Sequence, residues 1–213
     1  MPIVLGSRSP RRQELLSAFV PADDLLIRPP LQSEEQGFGG LHDSDRITQR
    51  LKSVVEAKRH DVQQQIATEF SEPDSVICVV ADTIVVANDP AIGPTVLGQP
   101  DPERWQQDVR SWMTLYSGTT HEVWTAYQVT CGAHMLGDIV RTTVHFCTLS
   151  PQLIESYIAT EESLGKAGGY AIQGAASAFV TKVNGSLTNV IGLPVLEVCK
   201  AIALVSGYAP GRR

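Results

Sequence analysis

The sequence predicts one α/β unit in which a mixed β-sheet is flanked by helices, with room for a cleft between two lobes. Three observations carry this expectation. Val76-Ile77-Cys78-Val79-Val80-Ala81 is a continuous, mostly β-branched run, the pattern of a strand covered on both faces. Ser9-Pro10, Asp101-Pro102 and Ser150-Pro151 each set a capping side chain before a proline suited to the first helical position. Strand-like segments are joined both through such helices and through short turns, which mixes crossovers with hairpins. The 213 residues fit a single domain over 1–207, with 208–213 expected as a frayed tail.

Taken in order, Ile3 to Leu5 reads as a short apolar strand and Gly6-Ser7-Arg8 as a turn. Leu15, Leu16 and Phe19 are expected as the buried stripe of the helix that Ser9 opens. Pro29 to Asp45, rich in proline, glycine and charge, reads as a loop. Ser44 to Glu69 follows as a long helix with Ile47, Leu51, Val54, Val55 and Val62 on one face. The Val76 run meets Asp82-Thr83 and resumes as Ile84-Val85-Val86, and Asn88 to Pro94 reads as a turn. Trp105, Val109, Trp112, Met113 and Tyr116 share one helical stripe, so these tryptophans are expected in the core rather than as a stacking platform. Ser117-Gly118 ends that helix. Val123 to Val129 and Ile139 to Cys147 alternate with the period of strands and are expected to pair. The Ser150 helix carries Leu153, Ile154, Tyr157 and Ile158. Phe179 to Val183 and Leu187 to Ile191 flank Asn184-Gly185-Ser186, a hairpin signal. Pro194 opens a last helix that ends before Gly207.

Composition excludes several function classes. The formal net charge of −6 is opposite to the basic excess that general nucleic-acid binding requires, so a bound polyanion must be small and met by a local basic cluster. No run of about 18 apolar residues could span a bilayer. Met1 to Leu5 runs straight into Arg8, Arg11 and Arg12, so no signal peptide is expected, and a cytoplasmic protein follows as the expectation. Cys78, Cys131, Cys147 and Cys199 lack close pairing and are expected as reduced, partly buried thiols. The histidines lack ligand spacing, so no metal is assigned to them.

Three constellations could carry chemistry. In Gly6-Ser7-Arg8-Ser9-Pro10-Arg11-Arg12 a strand feeds a tight turn into a helix start, where free backbone N–H groups favour an anion. Three arginines at the positive end of that helix are electrostatically unfavourable unless an anion offsets them, although solvated surface arginines would read the same way. Asp82 interrupts the long apolar run. It is either a carboxylate capping a strand end or a cleft carboxylate that could hold Mg²⁺ or orient a water. Lys166-Ala167-Gly168-Gly169-Tyr170-Ala171-Ile172-Gln173-Gly174 allows close backbone approach, with Gln173 offering an amide suited to a base edge. Lys58, Glu34 and Glu35 read alone as solvated charges, and His121 reads as structural at a strand start.

Together and in this order, these segments resemble the Maf family of nucleotide pyrophosphatases nearly end to end. Leu5 to Leu16 looks like its opening signature, and Ala81-Asp82-Thr83-Ile84-Val85 is similar to its A-D-T-x-V strand. Leu97-Gly98-Gln99-Pro100 is similar to L-G-K-P, and Ser117 to Ala126 to S-G-R-T-H-x-V-x-T-A. Lys166 to Gly174 resembles D-K-A-G-x-Y-x-I-Q-G without its leading Asp, and Gly192-Leu193-Pro194 matches a closing G-L-P.

The resemblance implies a mixed α/β fold with a deep cleft, related to inosine-triphosphate pyrophosphatases, and metal-dependent hydrolysis between the α and β phosphates of a nucleoside triphosphate. By position, Asp82 would be the proton acceptor and touch the metal, Mg²⁺ or Mn²⁺, with Glu34 or Glu35 as a second acidic group. Arg11, Thr83 and Gln173 would fall at specificity positions, while Ser7, Arg12, Lys58 and Lys166 would hold phosphates. The dTTP/UTP branch fits best, and a homodimer is expected from the resemblance alone. Three departures stand out: Gln99 replaces a lysine, Thr119 an arginine or lysine, and Gly165 an aspartate. They leave open a rival, a nucleotide-binding regulator of septum formation that keeps the pocket but has lost turnover.

Overall fold

A computed structural model describes residues 1–31 and 37–207. The expected tail at 208–213 therefore lies outside the described residues. A seven-stranded mixed sheet has the order β2-β1-β3-β5-β6-β7, with β4 paired to the far end of β3. Its strands are β1 (Ile3–Gly6), β2 (Leu25–Ile27), β3 (Ile77–Asp89), β4 (Gly93–Leu97), β5 (Thr120–Cys131), β6 (His134–Phe146) and β7 (Val180–Asn184). β1 runs parallel to both β2 and β3, and the remaining pairs are antiparallel. The helices are α1 (Pro10–Ser17), α2 (Ser44–Glu69), α3 (Trp105–Tyr116), α4 (Pro151–Ile158), α5 (Leu187–Ile191) and α6 (Val195–Ser206).

The apolar run in β3 is continuous because both its faces are covered. Ile77, Val79 and Ala81 pack with Leu16 of α1 and with Val198, Ala201 and Ile202 of α6. Cys78, Val80 and Ile84 pack with Ile47, Leu51, Val55 and Val62 of α2 on the opposite face. Further along β3, Val85 and Ala87 enter a second core with Val109, Met113 and Tyr116 of α3 and Ile154, Tyr157 and Ile158 of α4. Trp105 and Trp112 pack against this core, as their spacing predicts.

Local chemistry explains most helix starts. The Ser9 and Ser150 hydroxyls accept from Arg12 N and Leu153 N, and a proline opens each helix. The four cysteines are free, and burial pushes the Cys78 thiol up to about 12.

Several expectations are corrected. Leu187–Ile191 is helix rather than the second arm of a hairpin, because Ser186 caps Asn189 N and Asn189 is drawn inward to donate to the Val123 and Val140 carbonyls. α3 starts at Trp105 rather than Asp101, whose carboxylate instead accepts from Glu103 N in a turn. Phe19 is 46% exposed because α1 has already ended at Ser17. Leu153 faces solvent on α4. β2 and β4 carry too few alternating residues to be read from sequence, and β4 takes up part of the segment read as a turn. No helix among the described residues is long and apolar enough to cross a membrane.

Candidate active site

A cavity of about 740 Å³ opens where the carboxyl end of β1, the middle of β3 and the loop after α4 converge. It is within the usual volume range of small-molecule sites, about 300–1,000 Å³, and it lies beyond the carboxyl end of a parallel strand, a common ligand position in α/β sheets. Its lining includes Ser7, Arg8, Arg11, Arg12, Lys58, Asp82, Thr83, Gln99 and Gln173. Residues from five separate stretches of chain therefore share one wall.

Strand alternation sends Asp82 and Thr83 to opposite faces of β3. Asp82 faces α2, where Lys58 Nζ donates to its carboxylate at 2.6 Å, with both side chains only 13% exposed. Thr83 faces α1, where its hydroxyl accepts from Arg12 Nη2 at 2.9 Å and lies 2.9 Å from the Thr125 hydroxyl.

The Arg12 guanidinium acts as a brace. Nε donates to the Gly192 carbonyl at 2.8 Å, and Nη1 donates to the Ala81 carbonyl at 2.9 Å and to the Ser7 hydroxyl at 3.4 Å. A planar fork with fixed donor directions can join three chain segments in this way. The phosphate-holding role expected of Arg12 is thus met by a side chain already directed at protein acceptors. Ser7, buried at 5% exposure, likewise has its hydroxyl engaged by Arg12 and by Ser9 N.

Arg11 differs. It lines the cavity and makes no hydrogen bond or ion pair among the described residues. Arg8 also lines it while donating to the Pro30 carbonyl at 2.8 Å. Lys166 is not among the lining residues, although Gly165 and Ala167 on either side are, and its ammonium donates to the Glu162 carbonyl. Burial and then the positive charge of Arg11 push the Lys166 amine below its ordinary value. Two cations are thereby held within each other's field, a position that a bound anion relieves.

Apolar groups complete the lining: Val96, Val123, Ile172 and Val190, with the ring of Tyr170. Val123, Tyr170 and Ile172 fall inside the motifs, whereas nothing marks Val96 or Val190, because a cavity valine looks like a core valine in sequence. The carbonyls of Ala81 and Gly192 were equally invisible as partners of Arg12, since a backbone acceptor has no sequence signature. Gln173 lines the cavity at its exposed edge.

The departures fall in different places. Gln99 and Gly165 line the cavity. Thr119 does not, and its hydroxyl donates to the Leu115 and Tyr116 carbonyls at the end of α3. Glu34 and Glu35 lie outside the described residues. Among the described residues no three His, Cys, Asp or Glu side chains gather as a metal site.

Comparison with known proteins identifies the family. The family profile described as "Maf-like protein" matches residues 2–205. The chain is 35% identical over 202 residues to the dTTP/UTP pyrophosphatase of Pyrococcus furiosus, covering 95% of this chain and 94% of that one. It is 33% identical over 205 residues to the dTTP/UTP pyrophosphatase of Acinetobacter baylyi, covering 96% of this chain and 100% of that one. It is 38% identical over 215 residues to the dTTP/UTP pyrophosphatase of Anaeromyxobacter dehalogenans, covering 99% of this chain and 97% of that one. A match of this length, over a cavity built from the same segments that carry the resemblance, means that the chain belongs to the Maf-like protein family.

Proposed function

We propose that this chain hydrolyses dTTP and UTP to the monophosphate and pyrophosphate in the cavity between β1, β3 and the loop after α4. The observation that carries the reading is that Arg11, with no protein partner among the described residues, and the Lys58-paired carboxylate of Asp82 line one cavity. The names of the relatives supply the substrate class.

In this reading Arg11, Arg8 and the first amides of α1 hold the phosphates, with Lys166 adding positive field from behind the loop. Lys58 aims the Asp82 carboxylate. Asp82 accepts a proton as water oxygen attacks the α phosphorus; the bond from that phosphorus to the bridging oxygen breaks, and pyrophosphate leaves with the electron pair. Positioning and charge stabilisation do most of the work, because phosphoryl chemistry of this kind needs little covalent help. Arg12 and Ser7 act by fixing the backbone at Ala81 and Gly192, which sets where Asp82 and Thr83 stand. Gln173 and Thr83, the specificity positions that the resemblance implies, both line the cavity.

A divalent cation, Mg²⁺ or Mn²⁺, fits the donor set on one condition. Asp82 offers a single hard oxygen ligand, which suits an ion held mainly by substrate phosphates rather than by a protein cage. Such an ion would neutralise phosphate charge; Glu34 is the second acidic group that the resemblance assigns to it.

The test is to incubate the chain with dTTP, UTP, CTP and GTP in Mg²⁺ or Mn²⁺ and separate the products. Monophosphate with pyrophosphate from dTTP and UTP supports the reading. Binding without products favours a nucleotide-binding regulator, and diphosphate with orthophosphate rejects the assignment of the cleaved bond.

A further inference from the structure

The segment from Gly165 to Gln173 forms much of one cavity wall, yet its regular structure is a single 3₁₀ turn at Ala167–Gly169. Gly168 and Gly169 are both left-handed, at φ 71° and 69°. A segment of this kind holds its shape only through outside restraints. The Gly98 carbonyl, which accepts from Gly168 N at 2.9 Å, and three tyrosine hydroxyls provide them. Tyr116 Oη donates to the Gly168 carbonyl at 3.1 Å, and Tyr157 Oη donates to the Gly169 carbonyl at 3.0 Å. The third, Tyr170 Oη, shares a hydrogen bond of 2.7 Å with His121 Nε2.

His121 is the unusual member. It sits at the start of β5 with 2% exposure, its ring 4.1 Å from that of Tyr116 and edge-on to Phe146 at 5.0 Å and Tyr170 at 5.3 Å. An apolar ring would satisfy that packing. Instead an imidazole is buried there, and its Nδ1 has no partner among the described residues. Leaving a buried polar atom unpaired costs free energy. The hydrogen bond between Nε2 and the Tyr170 hydroxyl is what the polar ring contributes in return. Burial keeps the ring neutral, so the bond is not interrupted by charging.

Position along the chain says what this bond controls. Tyr157 and Tyr116 restrain the residues before Tyr170. Beyond it the Ala171 carbonyl accepts from Gly174 N at 3.1 Å, and the Glu162 carboxylate accepts from Ala175 N at 2.6 Å and from Ala176 N at 3.4 Å. Between these holds Ile172 packs partly against the core, and the Gln173 amide makes no hydrogen bond among the described residues.

We propose that His121 is a positioning residue for base recognition: through Tyr170 it fixes the Ala171–Gln173 stretch so that the Gln173 amide meets the edge of a pyrimidine base. This rests on reading the cavity as a pyrimidine nucleoside triphosphate site. His121 touches neither phosphate nor base, so its loss acts on substrate affinity and base choice more than on the chemical step.

The experiment compares wild type with His121→Phe, which keeps the stacking ring but loses Nε2, with Tyr170→Phe, with the double variant, and with His121→Gln, whose amide can reach the Nε2 position. For each, KM and kcat for dTTP, UTP and GTP are measured beside thermal unfolding. His121→Phe and Tyr170→Phe should each raise KM for dTTP and UTP about tenfold, the worth of one hydrogen bond, with kcat within about twofold. The double variant should be no worse than either single one, and His121→Gln should recover most of the affinity. Discrimination against GTP should shrink in both single variants. Unchanged KM in a folded His121→Phe, an additive double variant, or a loss of kcat that merely follows the unfolding temperature would overturn the proposal. Calorimetric dissociation constants for a non-hydrolysable α,β-methylene analogue of dTTP separate this from the activity reading. If wild type releases no pyrophosphate, that reading falls, and equal binding by wild type and His121→Phe then removes the positioning role as well.

Discussion

Lys58 Nζ and the Asp82 carboxylate are 2.6 Å apart with only 13% of each side chain exposed, an ion pair formed between α2 and β3. Each charge offsets part of the other's desolvation. The pair orients the one carboxylate that, among the described residues lining the cavity, could accept a proton.

Replacing Asp82 by Asn keeps the shape and removes the base. Turnover of dTTP should fall by about 10²–10⁴-fold, the usual contribution of a general base, while triphosphate affinity changes little. Pyrophosphate release and calorimetric binding check this. Full activity in Asp82→Asn would remove the residue from its proposed role.

Arg12→Lys tests the brace. A lysine cannot reach the Gly192 and Ala81 carbonyls and the Thr83 hydroxyl together, so buried acceptors lose a charged donor. Stability in urea should drop by about 2–4 kcal/mol. A side chain used mainly for phosphate would instead leave unfolding unchanged and weaken only substrate binding.

Gly168→Ala meets two obstacles at once. Its φ is +71°, and a Cβ there would lie 2.5 Å from Val85 Cγ2 and 3.0 Å from the Tyr116 hydroxyl. Destabilisation of about 1–3 kcal/mol is expected, partly relieved when Val85→Ala is combined with it. Gly40→Ala is the control: φ is +74° but nothing lies within 4 Å, so only backbone strain of about 1 kcal/mol should appear. Equal effects at the two glycines would show that the steric clash is absorbed.

His121 gives stability a pH dependence of known sign. Burial, and then the nearby His145, lower its pKa from 6.5 to about 3. Below pH 6.5 the unfolded chain takes up a proton that the folded chain refuses, so stability falls with pH until about pH 3. The slope from this residue is about 1.4 kcal/mol per pH unit across that window. His121→Phe should flatten the stability curve between pH 6 and pH 4 by that amount, as measured by urea unfolding at stepped pH. An unchanged slope would mean that the imidazole charges without unfolding.

Much of this architecture was legible in the chain. Ser-Pro pairs marked the starts of α1 and α4, the apolar spacing of Ile47 to Val62 traced α2, and the unbroken run of β3 announced a strand covered on both sides, because each pattern states a local requirement for capping or burial. The motifs also named Arg11, Arg12, Asp82, Thr83 and Gln173, which line one cavity, and Lys166, which does not line it. What they could not state was partnership. Arg11 and Arg12 are adjacent and chemically identical in sequence, yet Arg12 is directed at two carbonyls and two hydroxyls while Arg11 faces the cavity. Asp82 and Thr83 part to opposite faces, and Leu187–Ile191 became helix when Asn189 found buried carbonyls on β5 and β6. Local propensity and periodicity reside in neighbouring residues, so the sequence determined them by itself. Which donor meets which acceptor depends on segments brought together from distant parts of the chain, and only the tertiary structure decided that.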